Sequence, residues 1–442
     1  MTDEGLNSAL EKMRADGVGE AAVRSFAHYY ERLSRGDRGI LGEDEIEPVE
    51  QVTALEDLPD TIDKTALDQA VVVKLNGGLG TSMGMTKAKS LLPVKDGLTF
   101  LDIIAKQVLH LREETGARLP LVLMNSFLTQ ADSLKALEQY DLPTDVPADF
   151  VQNKVPKLRA DGLAPVDWPD APDLEWAPPG HGDLYVALVT SGMLDKLLDA
   201  GYRYAFVSNA DNLGAVLDPR ILSWIAAEEI PFVMEVAQRT AADRKGGHIA
   251  HRPDGGLVLR EIAQTPDEDL ESFQDIDRHQ FFNTNTLWVD LHALRDALAA
   301  SEGVLSLPMI VNRKNVDPTN PDSPAVIQLE TAMGAAIDVF AGARALLVPK
   351  ERFAPVKTTN DLLALRSDAY ELRDNGQVVL AEQRHHQPPV VELDPNYYKL
   401  VDDFEARFPD GPPSLIGCDR FVVRGDHVFS ADSVFTGSTT VQ

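Results

Sequence analysis

The feature that most constrains this chain is a short β-branched run that ends in glycine. Val71-Val72-Val73-Lys74-Leu75 is followed at once by Asn76-Gly77-Gly78-Leu79-Gly80-Thr81-Ser82-Met83-Gly84. The run reads as a buried strand. The four glycines after it let backbone amides approach an anion with no side chain in the way. The same texture then repeats. Thr99 with Asp102 has the spacing of a capping box, opening a helix whose apolar face is Leu101, Ile104, Val108 and Leu111. Residues 119–124 form the next strand, and Thr129 with Asp132 caps a second helix. Further strands fall at 204–208 and 231–236, with helical stretches at 184–200 and 219–229. Residues 258–262 form one arm of a hairpin turning at Asp254-Gly255-Gly256. Strands alternating with helices imply an α/β domain with a mixed, mainly parallel sheet covered on both faces.

The flanks differ from this centre. In residues 1–37, Leu6, Leu10, Met13, Val18, Ala22, Phe26, Tyr29 and Leu33 recur at helical steps, broken near Gly17 and Gly19. An acidic loop from Glu43 to Glu50 follows. In the tail, Ile416, Val422, Val428 and Val434 fall six residues apart, as do Val423, Phe429, Phe435 and Val441. That period suits a hexapeptide β-helix, and a hairpin turning at Gly425-Asp426 is the alternative. So short a stack cannot bury its own face, so it leans on the α/β domain or on another subunit. Self-association into a homo-oligomer stays open.

Composition narrows the function. Of the 442 residues, 44% are hydrophobic and 25% charged, the balance of a soluble globular protein. No apolar run approaches the roughly 20 residues that span a bilayer. Asp3 and Glu4 stand where a secretory signal would be basic. The lone cysteine, Cys418, excludes an internal disulfide and a Cys-rich metal cluster. A cytoplasmic setting is the expectation. The net charge of −29 opposes nucleic acid and anionic lipid. Residues 71–110 run against it, with five lysines (Lys74, Lys87, Lys89, Lys95, Lys106) and two acids (Asp96, Asp102).

Lysines beside a glycine loop suit a phosphate. Two familiar loops do not fit, however. Ala88 stands before Lys89-Ser90 where a P-loop needs glycine, and Gly78, Gly80 and Gly84 are spaced GxGxxxG rather than GxGxxG. Trp176-Ala177-Pro178-Pro179-Gly180-His181-Gly182-Asp183 is a stiff run whose glycines permit close approach to a flat ligand. Ser208-Asn209-Ala210-Asp211-Asn212 ends a strand, where open α/β sheets place their ligands. A carboxylate there suits a magnesium ion that also binds phosphate, and an Asx turn is the plain alternative. Lys245-Gly246-Gly247, Phe282-Asn283-Thr284-Asn285, Gln328-Leu329-Glu330-Thr331 and Pro355-Val356-Lys357 follow. Asn283 and Glu330 can read sugar hydroxyls, and Lys357 can clamp a second phosphate. Apolar residues on both sides also make the Glu330 segment a candidate start of a buried helix.

In order, KLNGGLGTSMG, WAPPGHGDLY, VSNADNLGAVLD, FFNTNTLWVDL, VIQLETAMGAA and RFAPVKTTNDLL resemble the eukaryotic-type UTP–glucose-1-phosphate uridylyltransferases over at least residues 70–370. The resemblance implies a Rossmann-like nucleotidyltransferase domain at 49–385. It also implies a small helical N-terminal segment at 1–48 and a C-terminal domain at 386–442 with a short left-handed β-helix. Leu75, Asn76, Gly77 and Gly78 would receive the nucleotide, with Gln152 and Gly180 completing the base pocket. His181, Gly247, Asn283 and Glu330, with Lys245 beside them, would surround the sugar phosphate. Asp211 would hold Mg²⁺, and Lys89 and Lys357 would be the catalytic phosphate contacts. The chain departs from the family at Lys87, where glycine is usual, and in its shorter tail.

The implied substrates are UTP and glucose 1-phosphate, giving UDP-glucose and pyrophosphate. A sugar phosphate is already ionised near neutral pH and needs no general base, so charge neutralisation and positioning would do the catalysis. The same chemistry on galactose 1-phosphate, or a non-catalytic nucleotide-sugar binder, is the alternative. A nicotinamide enzyme is disfavoured by the glycine spacing.

Overall fold

A computed structural model describes residues 2–142, 145–318 and 320–442. The chain divides into two compact units. The first comprises Met1–Val71, Phe150–Val207 and Pro219–Val348. The second comprises Val72–Asp149, Ser208–Asp218 and Pro349–Gln442.

In the first unit, helices Thr2–Ala15 and Glu20–Ser34 flank a break at Gly17, whose φ is +79°. Their periodic apolar residues Met13, Phe26, Tyr30 and Leu33 meet Val155, Leu158 and Ile327 in one cluster. Full burial of a side chain such as Phe26 contributes about 1.5–3 kcal/mol. The unit's strands run in the order Thr53–Ala54, Arg344–Leu347, Phe232–Gln238, Phe281–Asp290, Tyr204–Asn209. The first three are parallel, and Phe281–Asp290 runs opposite to both of its neighbours. Its register on Phe232–Gln238 jumps between Glu235 and Val236, a bulge at Thr284-Asn285 with Asn285 at φ +57°. The expected hairpin is present as His248–His251 against Leu257–Arg260. The long helix expected at 184–200 is two helices, Leu184–Thr190 and Met193–Asp199, parted at Gly192. The Glu330 segment is not a helix start. It lies in strand Ala325–Thr331, antiparallel to Met309–Asn315, with Val326, Ile327, Gln328 and Leu329 buried in a row and Glu330 half-buried.

In the second unit, strand Ala70–Asn76 pairs in parallel with Leu121–Asn125 through the intervening helix Phe100–Thr115. The capping box forms as expected: Thr99 Oγ1 accepts from the Asp102 amide, and Asp102 accepts from the Thr99 amide. Thr129 does not cap its helix. Its hydroxyl accepts from the Ser126 amide instead, closing a turn before Gln130–Leu137. The tail strands Val390–Glu392, Ser414–Val423 and Val434–Val441 pair in parallel, which removes the hairpin alternative. The two six-residue series part only along the tail. Val422, Val423 and Phe429 are buried, whereas Val428 and Val434 are each 67% exposed. Among the described residues, no helix is long and apolar enough to cross a membrane.

Candidate active site

The second unit holds the phosphate-binding candidates. Strand Ala70–Asn76 delivers Leu75 and Asn76 to the loop. The Asn76 side chain is buried and committed to structure: its amide donates to Asn125 Oδ1 (2.7 Å) and Ser133 Oγ (2.8 Å). Any ligand contact from Asn76 is therefore a backbone one. The Lys89 amide donates to the Gly78 carbonyl (3.0 Å), folding the lysine back over the loop. Lys89 Nζ reaches Asp211 Oδ2 at 2.6 Å, a partly buried ion pair. Lys87 is exposed. The Ala210 amide donates to the Leu75 carbonyl, and the buried Lys74 donates to Ser208 Oγ (2.7 Å) and the Ala215 carbonyl (2.8 Å). These bonds hold the Asp211 loop at both ends. The Val356 amide donates to the Asp211 carbonyl, placing Lys357 one residue beyond that contact. Lys357 is exposed and stands just before Thr358, the N-cap of helix Thr359–Arg366, with its amide donating to Asp361 (2.9 Å).

The first unit holds the sugar candidates. The Thr331 amide donates to the Pro179 carbonyl (3.0 Å), pinning the Gly180 loop against the strand that carries Glu330. A Cβ at Gly180 would lie 2.5 Å from the Thr331 carbonyl oxygen. His181 Nδ1 accepts the Met333 amide (3.1 Å), so its proton sits on Nε2. Although His181 stays accessible to solvent, desolvation by its surroundings lowers its pKa below the ordinary 6.5, which leaves the ring neutral near pH 7. One residue on, Gly334 packs against Asn283, and the Asn283 amide donates to the Gly247 carbonyl (2.9 Å). Asn283 is buried, and its side-chain amide donates to Asn285 Oδ1 across the bulge. Gly180, His181, Glu330, Asn283 and Gly247 are thus linked through residues 330–334. Lys245 is exposed, and Glu330 lies 3.8 Å from Lys314.

Gln152 connects to this set through a pair that the sequence alone did not reveal. Asp183 accepts from the Asn153 amide (2.6 Å) and the Asn153 side chain (2.9 Å). This ties the residue after Gln152 to the end of the Gly180 loop. The Asp-after-Gly in GHGD was the available signal. Burial raises the Asp183 pKa to about 7, against the lowering effect of the Asn153 bonds.

Behind Gly247, the His248 and His279 rings stack at 3.8 Å. His279 Nε2 lies 3.0 Å from Glu43, which also pairs with Arg260 and Arg278. Among the described residues, His248 Nε2 and His279 Nδ1 are buried with no hydrogen-bond partner. Burial lowers the pKa of both rings below the ordinary 6.5. His279 lowers His248 further, while Glu43 works to raise His279.

The signs oppose. Asp183, raised, holds a proton in the native state between about 7 and its ordinary 3.8, so it stabilises as pH falls through that window. The histidines, lowered, remain neutral when folded while the unfolded chain takes up protons below 6.5, so they destabilise as pH falls. Between pH 7.5 and 5.5, Asp183→Asn should therefore melt progressively lower than the parent, and His248→Phe progressively higher. Parallel Tm-against-pH curves for all three would contradict these assignments.

An α/β enzyme of the nucleotidyltransferase class is what this fold describes, and comparison with known proteins narrows it. The family model described as UTP–glucose-1-phosphate uridylyltransferase matches residues 23–435. A UTP–glucose-1-phosphate uridylyltransferase of Solanum tuberosum is 43% identical over 86% of this chain and 78% of its own length. That of Hordeum vulgare is 38% identical over 99% and 92%. A variant UDP-glucose pyrophosphorylase from Leishmania major, solved in complex with UDP-glucose, superposes with a TM-score of 0.93 at 46% identity, covering 99% of this chain and 94% of that one. A Trypanosoma brucei structure gives 0.91 at 45%, with the same coverage. The chain belongs to the UTP–glucose-1-phosphate uridylyltransferase family.

Proposed function

We propose that the protein converts UTP and glucose 1-phosphate to UDP-glucose and pyrophosphate. The observation that carries this is that a chain of this family keeps its glycine loop, Lys89, Asp211 and Lys357 on backbone joined by direct hydrogen bonds. A phosphate oxygen of the sugar attacks the α-phosphorus of UTP in line. A P–O bond forms there as the bond to the β-phosphate oxygen breaks, and pyrophosphate leaves. No proton has to be removed from the nucleophile, so the obstacle is the mutual repulsion of two polyanions. Lys89 and Lys357 meet it with fixed positive charge on the phosphates, preorganised before the substrates arrive. His181, as a neutral Nε2–H donor, and Asn283, Glu330 and the backbone at Gly247 orient the sugar phosphate. Backbone groups of Leu75–Gly78, with Gln152 and Gly180, select the base, and Lys245 adds charge at the sugar-phosphate side.

The donor set fits magnesium. Among the described residues, no group of three or more His, Cys, Asp or Glu is gathered to hold a metal, and Mg²⁺ commonly takes one or two carboxylates with substrate phosphates and water. Asp211 would be that carboxylate, and the ion would supply charge neutralisation on the triphosphate. We also read the tail as a left-handed β-helix open to self-association. Our domain division is helices to residue 48, a catalytic domain at 49–385 and the tail domain beyond, in a protein of the cytoplasm.

The test is pyrophosphate release from purified protein with Mg²⁺, UTP and glucose 1-phosphate. Parallel reactions substitute galactose 1-phosphate for the sugar, and TTP or ATP for the nucleotide. Rapid release with UTP and glucose 1-phosphate alone is expected. Preferential release with galactose 1-phosphate would move the sugar assignment, and no release from folded protein in any reaction would reduce the activity to binding.

A further inference from the structure

We infer that Asn212 and Gly214 are positioning residues that deliver Lys357 to its place beside Asp211, by clipping residues 351–356 onto the Asp211 loop. The inference rests on the reading of Lys357 and Asp211 given above and adds residues to which no role has been attached.

Asn212 is 2% exposed, and its side chain behaves like a piece of backbone. Its Nδ2 donates to the Arg352 carbonyl (3.0 Å), and its Oδ1 accepts from the Ala354 amide (3.0 Å). The same oxygen accepts from the Gly214 amide (3.2 Å), which fixes the rotamer from within its own loop. Residues 212 and 355 form an antiparallel bridge, and the Val356 amide donates to the Asp211 carbonyl (3.2 Å). On the other side, Arg352 donates to the Val216 carbonyl (2.9 Å). Gly214 lets the two segments close: a Cβ there would lie 2.2 Å from the Glu351 carbonyl oxygen and 3.0 Å from the Arg352 carbonyl carbon.

The physical need is specific. Lys357 carries its ammonium on a flexible four-carbon stem, so its reach is set by where its backbone is held. Its own helix begins only at Thr359. The segment immediately before it has no regular secondary structure beyond the short turn Lys350–Arg352, so the bonds to Asn212 and Asp211 give that segment its register. An amide side chain is required, because one donor and one acceptor must face a carbonyl and an amide two residues apart. Aspartate would set a carboxylate oxygen against the Arg352 carbonyl.

The experiment is a double-mutant cycle on the full chain, with kcat, KM for each substrate, UTP binding by titration calorimetry and a melting curve for every variant. Lys357→Ala is expected to lower kcat by about 10²–10³-fold, as for loss of one preorganised donor. Asn212→Ala should lower kcat at least tenfold while KM for glucose 1-phosphate stays within threefold. The double variant should be no slower than Lys357→Ala alone, because both changes remove the same contact. UTP affinity should fall in both single variants and no further in the double one. Gly214→Ala, which leaves Asn212 in place but pushes the segment away, should behave as Asn212→Ala and keeps the test available if Asn212→Ala does not fold. Two results overturn the inference: multiplicative losses in the double variants, or near-parental kcat in Asn212→Ala and Gly214→Ala beside a slow Lys357→Ala. If Lys357→Ala is itself as fast as the parent, the role given to Lys357 fails, and this inference fails with it.

Discussion

Replacing Asp211 by asparagine lowers kcat by about 10²–10³-fold, the loss expected when one preorganised charged group is removed from a phosphoryl-transfer site. The substitution keeps the size of the side chain and the loop's backbone bonds. It removes the negative charge that Lys89 meets at 2.6 Å. Two consequences follow. The magnesium concentration giving half-maximal rate rises, because an amide oxygen is a weaker ligand than a carboxylate for a hard cation. Lys89 also loses the partner that fixes its ammonium, so its contribution falls together with that of Asp211. Steady-state rates across a magnesium titration, with melting curves to establish folding, measure both effects. A variant within threefold of the parent at every magnesium concentration would remove Asp211 from the mechanism.

Gly180→Ala loses about 10²-fold in kcat/KM for glucose 1-phosphate, the scale set by misplacing a binding group by about 1 Å. Gly180 has φ +80° and ψ 174°, a combination essentially confined to glycine. A Cβ there would approach the backbone of Thr331 at 2.5 Å and 2.9 Å, and neither atom can move without disturbing the strand that carries Glu330. The loop must retreat, breaking the bond from the Thr331 amide to the Pro179 carbonyl and shifting His181 from the Met333 amide. The backbone strain alone costs about 1–3 kcal/mol. Gly192→Ala is the control. There φ is +68°, yet among the described residues a Cβ would meet no atom within 4 Å, so the change strains the chain without moving the sugar loop. Kinetics and melting curves of both variants decide the point. Equal kinetic losses would show that strain anywhere in the unit suffices, and would remove the special role given to Gly180.

Local signals were readable where one stretch of chain decides the outcome. The Thr99 capping box needs only residues 99–102, and the strand before Gly77 needs only its β-branched run. The alternating elements likewise announced an α/β fold. What stayed hidden depends on distant partners. Apolar neighbours around Glu330 fit a helix or a strand equally, and its pairing with Met309–Asn315 decides for the strand. The two six-residue series in the tail look alike on paper, and only packing against Phe421 and Phe408 buries Phe429 while Val428 stays outside. Thr129 offers the same capping spacing as Thr99, yet its hydroxyl is taken by the turn before it. Among site candidates, Asn76 could not be seen to be committed to Asn125 and Ser133, nor Asp183 to be a buried partner of Asn153, because those contacts join residues 30 to 57 positions apart.

The division of the chain into two units, each drawn from three separate stretches, governs how the protein can be made. The first unit lacks its last stretch until Val348 has left the ribosome, and the second until the residues after Pro349 have followed. At translation rates of about 5–20 residues per second, the nascent chain waits on the order of 20–70 s before either core can close. During that interval the strands around the glycine loop are exposed without their full set of neighbours. The first unit is complete in sequence before the last stretch of the second begins, so closure can follow that order, but only late in synthesis.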